Sequence, residues 1–175
     1  MIAQAKALLA RGIGLAGVVL LTGACAGSPA SVKSRPEMAN HQPPAPATNA
    51  QTASVAASAT TVALEQVGIS YRYGGDSPTE GFDCSGLVHY AYRQAGLSLP
   101  RTTSSLWSQT RRVSRNGLRA GDLVFFNIEG KMQHVGLYIG DDRFVHAPST
   151  GRTVSVESLS SPFYSAALLS GGRPK

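Results

Sequence analysis

Cysteine is nearly absent from this chain: its 175 residues hold two, Cys25 and Cys84. Two cysteines exclude the disulfide framework that staples small secreted domains. Acidic residues are also few, ten against sixteen Lys and Arg, which leaves a formal net charge of +6. The conspicuous apolar stretch, residues 12–21, is too short for a comfortable membrane-spanning helix. There is no internal repeat, and no close Cys or His pair of the spacing most zinc sites use. What these absences leave is a lone thiol, Cys84, whose chemistry its neighbours must decide.

The N-terminus reads as an export signal over residues 1–24. Lys6 and Arg11 supply positive charge, residues 12–21 are uncharged and apolar, and the small residues Thr22-Gly23-Ala24 run into Cys25. Small residues before a cysteine resemble the lipobox of bacterial lipoproteins, in which the cysteine is acylated and becomes the first residue. One position departs from that pattern: Thr22 stands where Leu is usual, with Leu21 one step further out. Ordinary cleavage and an uncleaved anchor are the alternatives. Several acyl chains on Cys25 make a stable membrane anchor. Ala26 rather than Asp after the cysteine implies, by the sorting rule of that class, the outer membrane facing the periplasm. Residues 25–58 are rich in Ala, Pro, Ser and Thr, lack apolar periodicity, and read as a disordered tether. Its Ser and Thr are also candidate modification sites.

Residues 59–175 make one domain of 117 positions with twelve Lys/Arg and nine Asp/Glu, a net of +3. Arg111, Arg112, Arg115 and Arg119 cluster along the chain, either as a solvated face or as an attractor of an anionic polymer such as cell wall. The export signal argues against nucleic acid as partner. Residues 61–67 form a short helical segment stopped by Gly68. A clearer helix covers 84–95, with Asp83 as N-cap and Cys84, Leu87, Val88, Ala91 and Ala95 on one face. Residues 100–110 hold another helical turn or two around Leu106 and Trp107. Beyond Gly121 the period becomes that of strands, at 122–126, 134–139, 143–147, 153–156 and 166–169. Helices first and antiparallel strands after them make an α+β fold.

The hairpin at 134–147 carries a geometric expectation. With Gly140-Asp141-Asp142 as a three-residue loop, Ile139 pairs with Arg143 and His146 with Gly136. His134 and His146 then share a face as diagonal neighbours, with Cβ atoms about 7–8 Å apart. A one-residue slip would part them. Gly136 opposite His146 is expected to leave open space beside the rings. Set against that face, Cys84 at a helix start gains up to about 2 kcal/mol of thiolate stabilisation from the macrodipole. A neighbouring imidazolium is expected to supply the larger share. His134 takes the thiol proton and returns it to the leaving amine, His146 holds the other ring nitrogen of His134, and the Cys84 N–H meets the oxyanion.

Six blocks now stand in order: Tyr71-Arg72-Tyr73-Gly74-Gly75, Gly81-Phe82-Asp83-Cys84-Ser85-Gly86-Leu87-Val88, Leu99-Pro100-Arg101-Thr102, Gly121-Asp122-Leu123-Val124-Phe125-Phe126, His134-Val135-Gly136-Leu137-Tyr138-Ile139-Gly140 and Phe144-Val145-His146-Ala147. Together they resemble the NlpC-type cell-wall cysteine peptidases, over nearly all of residues 60–170. The resemblance implies a papain-like α+β domain, N-terminal helices on a mainly antiparallel sheet, with the nucleophile at a helix N-terminus. It implies Cys84 as nucleophile, His134 as base and His146 as the third, orienting residue. By position Tyr71 resembles the tyrosine beside the oxyanion, while Asp83 and Ser85 resemble residues that hold the substrate's polar end. Residues 76–80 vary in length within that family, and nothing is transferred to them.

Simpler readings stand beside these. Cys84 alone would be an inert core thiol, and Tyr71 ordinary core filling. Cys84, His134 and His146 are zinc-ligand types, though without the usual spacing. His89 lies off the Cys84 face, as a surface or groove residue, and Tyr90, Tyr92, Trp107 and Phe125 read as core or groove wall. The expectation is a monomeric, lipid-anchored endopeptidase of the cell envelope that cuts peptidoglycan stem or cross-link amides through an acyl-enzyme, with no metal or organic cofactor. A non-catalytic peptidoglycan-binding scaffold, or an amidase or acyltransferase on the same fold, are the alternatives.

Overall fold

The first described helix begins where the sequence suggested tether. A computed structural model of the protein describes residues 49–175, and its α1 spans Asn49–Leu64. Residues 49–58, expected to be tether, are therefore helical, while the expected export signal, Cys25 and the rest of the expected tether lie outside the described residues. Alanine explains the difference. Ala59 and Ala63 are fully buried, and a Cβ on Gly121 would lie 2.4 Å from that of Ala56. The helix thus packs by close backbone approach, not by a stripe of large side chains. Among the described residues no helix is long and apolar enough to cross a membrane.

A small hairpin, β1 (Asp76–Ser77) and β2 (Gly81–Phe82), leads directly into α2 (Cys84–Gln94). The N-cap is Asp83, whose carboxylate accepts the Gly86 N–H at 2.7 Å, and Gly96 follows the helix with a φ of +88°. After α3 (Thr103–Gln109) come β3 (Arg111–Val113), β4 (Leu123–Ile128), β5 (Lys131–Gly140), β6 (Arg143–His146) and β7 (Ser155–Ser158). Then α4 (Pro162–Ala167) runs straight into β8 (Leu168–Arg173). The six-stranded antiparallel sheet has the order β3-β8-β4-β5-β6-β7. Helices packed on an antiparallel sheet are the α+β architecture the sequence indicated.

Both faces of the centre of the sheet are covered, which is why Leu123 to Phe126 read as an unbroken apolar run. Leu123, Phe125, Val135, Leu137 and Val145 face α1 and α2 together with Leu87, Val88 and Ala91. Val124, Phe126 and Phe144 face the other way, against Leu159, Tyr164 and Leu168.

The β5–β6 hairpin reaches the anticipated register by a different route. Its loop has two residues, not three: Gly140 pairs with Arg143, and Asp141 and Asp142 take positive φ of 49° and 57°, as a type I′ turn requires. Ile139 is then an extra residue, and Tyr138↔Phe144 and Leu137↔Val145 follow. One residue fewer in the loop and one more in a bulge cancel. His146 therefore falls opposite Gly136, as expected.

Candidate active site

The two histidines meet. His134 Nε2 and His146 Nδ1 are 2.7 Å apart, with ring planes at 80°. His134 is 6% exposed and His146 fully buried. The space beside them is not open, however. A Cβ on Gly136 would come within 2.5 Å of Phe144 Cδ2, so the Phe144 ring fills that space and packs on His146, centroids 4.9 Å apart.

Cys84 is half-buried and unpaired, at the first position of α2. Its Sγ donates to the Gln133 carbonyl at 3.6 Å and lies 3.8 Å from Thr103 Oγ1, at the first residue of α3. The Val135 N–H also points at the sulfur and favours the thiolate. These are the backbone groups on either side of His134. They are free because β6 ends at His146, so β5 before Gly136 has no partner strand on that side. The ladder toward β4 also shifts between Phe126↔His134 and Asn127↔Met132, which makes Gln133 a bulge residue, and bulges are common beside active sites. The helix start thus occupies a vacated strand position and holds the thiol against the segment that carries His134.

Electrostatics correct the expected ion pair. Burial pushes the Cys84 thiol above its ordinary value, outweighing the N–H groups of Val135 and Ser85 and the Thr103 hydroxyl that favour the thiolate. Burial lowers His134 to about 4, and lowers His146 to about 3 with help from His134 and Arg152. Burial thus favours a neutral thiol and neutral imidazoles. With Nε2 of His134 engaged by His146, its Nδ1 is the ring nitrogen that the pair leaves over.

Tyr71 lies near this centre. Its N–H donates to Arg152 O at 2.8 Å, and it bridges to Phe82, two residues before Cys84. Burial and then the neighbouring Cys84 hold its phenol above the ordinary value. Asp83 and Ser85 are engaged by Arg101, a residue the sequence reading left without a role. Arg101 donates to both carboxylate oxygens of Asp83 at 2.9 Å and to Ser85 Oγ at 3.0 Å. Gly74 N–H adds to the same carboxylate at 2.9 Å. Although desolvation opposes it, the Arg101 guanidinium and these N–H groups hold the Asp83 carboxyl below the usual range. The network clamps the start of α2, and so the thiol, to the loop before it.

The arginine cluster does not form one face. Arg112 stacks on Trp107, its guanidinium carbon 3.7 Å from the ring centroid, and Arg115 pairs with Asp142 at 2.8 Å. Arg111 and Arg119 line a cavity of about 550 Å³ with Ala53, Val55 and Tyr92, away from the thiol. His89 is a structural tie, its Nδ1 2.7 Å from Leu99 O. Among the described residues no group of three His, Cys, Asp or Glu side chains is arranged to hold a metal ion. A residue without any sequence signal completes the site: Tyr164 of α4, with its Oη 3.4 Å from His146 Nε2.

The family profile "NlpC/P60 family" matches residues 68–173, more than half of the chain. The chain belongs to the NlpC/P60 family. Among curated NlpC/P60 relatives, the murein DD-endopeptidase MepH of Escherichia coli K12 is 41% identical over 106 residues, which is 58% of this chain and 39% of MepH. The bifunctional muramidase/DL-endopeptidase CwlT of Bacillus subtilis is 40% identical over 116 residues, 65% of this chain and 35% of CwlT. The chain thus spans well under half the length of these relatives. In fold it is similar to the peptidoglycan hydrolase RipB of Mycobacterium tuberculosis, with a TM-score of 0.62 and 28% identity, covering 73% of this chain and 68% of RipB.

Proposed function

We propose that this NlpC/P60 domain is a cysteine endopeptidase that hydrolyses amide bonds in peptidoglycan peptides. The observation that carries the reading is the thiol at a helix start, held against the two backbone groups that flank a buried, oriented histidine. The relatives named as murein endopeptidases supply the substrate class. Because thiol and imidazole rest neutral, proton transfer accompanies attack: Sγ bonds to the substrate carbonyl carbon as its proton moves to His134 Nδ1. The oxyanion meets the Cys84 N–H, which has no partner within its own helical turn, and the Tyr71 hydroxyl. His134 gives its proton to the departing amine, leaving a thioester. Water, deprotonated by His134, then attacks the thioester and releases the acid and free Cys84. Asp83 and Ser85, with Arg101 between them, form the polar end of the groove that holds the substrate's terminus.

We further propose that Cys25 is acylated and that a tether ending before α1 lets a monomeric domain work from a membrane of the envelope. The deciding experiment incubates the protein with intact and cross-linked muropeptides and follows the products by mass spectrometry, which reads whether a stem or a D,D cross-link bond is cut. Thiol alkylation or Cys84→Ala should abolish turnover while leaving binding in place. Cleavage by the alanine variant would remove Cys84 as nucleophile.

A further inference from the structure

Behind His146 the hydrogen-bond chain continues to Tyr164. Its hydroxyl is 3.4 Å from His146 Nε2, and its ring stands edge-on to the imidazole, centroids 5.4 Å apart at 89°. The ring is clamped between Phe126 at 5.3 Å, Phe144 at 4.9 Å and Phe163 at 5.0 Å. The α4 helix that carries it is capped by Ser161 and has proline in its first turn, so the tyrosine is held on a short, stiff element.

Counting protons along the chain gives the hydroxyl a task. To accept the thiol proton, His134 must present an unprotonated Nδ1. A neutral imidazole carries one N–H, so that of His134 sits on Nε2 and donates to His146 Nδ1. The proton of His146 then lies on Nε2, facing Tyr164, and the phenol oxygen must accept it. Reversing the last bond reverses the whole chain. If Tyr164 donates to His146 Nε2, then His146 Nδ1–H donates to His134 Nε2, and His134 is left protonated on the nitrogen that should take the thiol proton.

Two charged groups bias the choice. Glu157 of β7 and Arg152 in the segment before it both act on the Tyr164 phenol, beyond the effect of burial. The Glu157 carboxylate can only attract the positive end of the phenolic O–H, an interaction that competes with donation by that O–H to His146. Arg152 disfavours a positive His146, which keeps that ring a neutral relay. His134 is the remaining titratable group against His146, and the Phe144 ring packs on it as well.

We propose that Tyr164 is a positioning residue: by accepting a hydrogen bond from His146 Nε2, it locks both imidazoles in the tautomer that leaves His134 Nδ1 free for the Cys84 proton. This rests on His134 being the base. Tyr164→Phe keeps the ring contacts and removes only the hydroxyl. Loss of a residue that orients another through a hydrogen bond costs on the order of tenfold or more, so kcat should fall about tenfold with KM little changed. Two-bond proton–nitrogen spectra of protein labelled in histidine should show both rings protonated on Nε2 in the unsubstituted protein. Tyr164→Phe should shift them toward Nδ1, and Glu157→Gln should do so by a smaller amount. Unchanged tautomers in Tyr164→Phe overturn the proposal even if kcat falls, because packing alone would then account for the loss. Turnover by His134→Ala would instead sink the assignment of the base, and the positioning role with it. The tautomer spectra need no turnover, so the two failures are told apart.

Discussion

Replacing Gly136 with alanine tests whether the histidine pair depends on the ring that Gly136 admits. The added Cβ would lie 2.5 Å from Phe144 Cδ2, 3.2 Å from its Cε2 and 3.2 Å from Val145 O. Phe144 cannot step aside cheaply: it is fully buried, with ring neighbours Phe126 at 5.0 Å, His146 at 4.9 Å and Tyr164 at 4.9 Å. Overpacking of this kind costs about 1–3 kcal/mol. The smaller backbone entropy of alanine in the unfolded chain offsets about 0.5–1 kcal/mol of it. A net loss of about 1–2 kcal/mol lowers the melting midpoint of a domain this size by roughly 5 °C. The displaced ring is the one that seats His146, and a misplacement approaching 1 Å costs up to about 100-fold in rate, so kcat should fall by more than stability alone implies. The assays are calorimetric melting and muropeptide turnover below the transition. Adding Phe144→Leu should recover part of both losses, with a coupling of about 1 kcal/mol. A Gly136→Ala protein with unchanged midpoint and kcat would refute the steric reasoning.

Two further outcomes are expected. His134 and His146 have folded values near 4 and 3, below the ordinary 6.5. The unfolded chain therefore binds protons first as pH falls, and stability should decline from about pH 6.5 toward 4 while being independent of these residues above 6.5. The acid limb of kcat/KM should likewise fall near 4; a midpoint near 6.5, or a urea midpoint flat between pH 7 and 4.5, contradicts the burial of the pair. Asp83→Ala removes the α2 N-cap and the partner of Arg101, and should lower stability by about 2 kcal/mol at neutral pH. The Asp83 contribution is present above its unfolded value and lost as pH falls through its lower folded one, so the gap to the alanine variant, measured by urea unfolding, should close in acid. A gap that persists there would mean that packing, not charge, sets the effect.

What was legible in the sequence were features whose cause is local. Asp83 before an apolar face at helical spacing located α2 to within a residue, and the run from Leu123 to Phe126 announced a strand buried on both faces. The hairpin shows how a sound conclusion can rest on a wrong premise. The loop is shorter than Gly140-Asp141-Asp142 suggested, yet the bulge at Ile139 restores the register. Features made by close approach were hidden. The start of α1 is built of Ala, Ser and Thr, the composition of a linker, and only its fit against Gly121 makes it part of the domain. The same holds for the end of β8: the strand expected at 166–169 is found at Leu168–Arg173, and Ala166 and Ala167 belong to α4. The strand's Gly171 and Gly172 look like a chain terminus, but a Cβ on either would meet Leu118 or Thr110 at 2.5 Å, so the strand exists because those side chains lie across it. Tyr164 had no signal, since its partner is eighteen residues back and a whole strand, β7, intervenes.

Burial is also what separates the expected electrostatics of the site from those found. A helix start and an adjacent histidine are both visible in the sequence, and each favours a thiolate. Neither reveals that the helix would lodge the sulfur in a strand position β6 leaves empty, or that the histidines would lie under Phe126, Phe144 and Tyr164. Removing water from a thiol and two imidazoles penalises every charged form. The macrodipole supplies at most about 2 kcal/mol against that. The neutral state is therefore the resting one, and the charge separation that attack requires must be met by groups that act only then. On the proposed mechanism the Cys84 N–H and Tyr71 serve the oxyanion, and the chain from His134 through His146 to Tyr164 serves the imidazolium. A site arranged in this way holds its thiol unreactive toward solvent oxidants, which favour thiolates. For a cysteine that has no disulfide partner among the described residues, that restraint matters as much as reactivity.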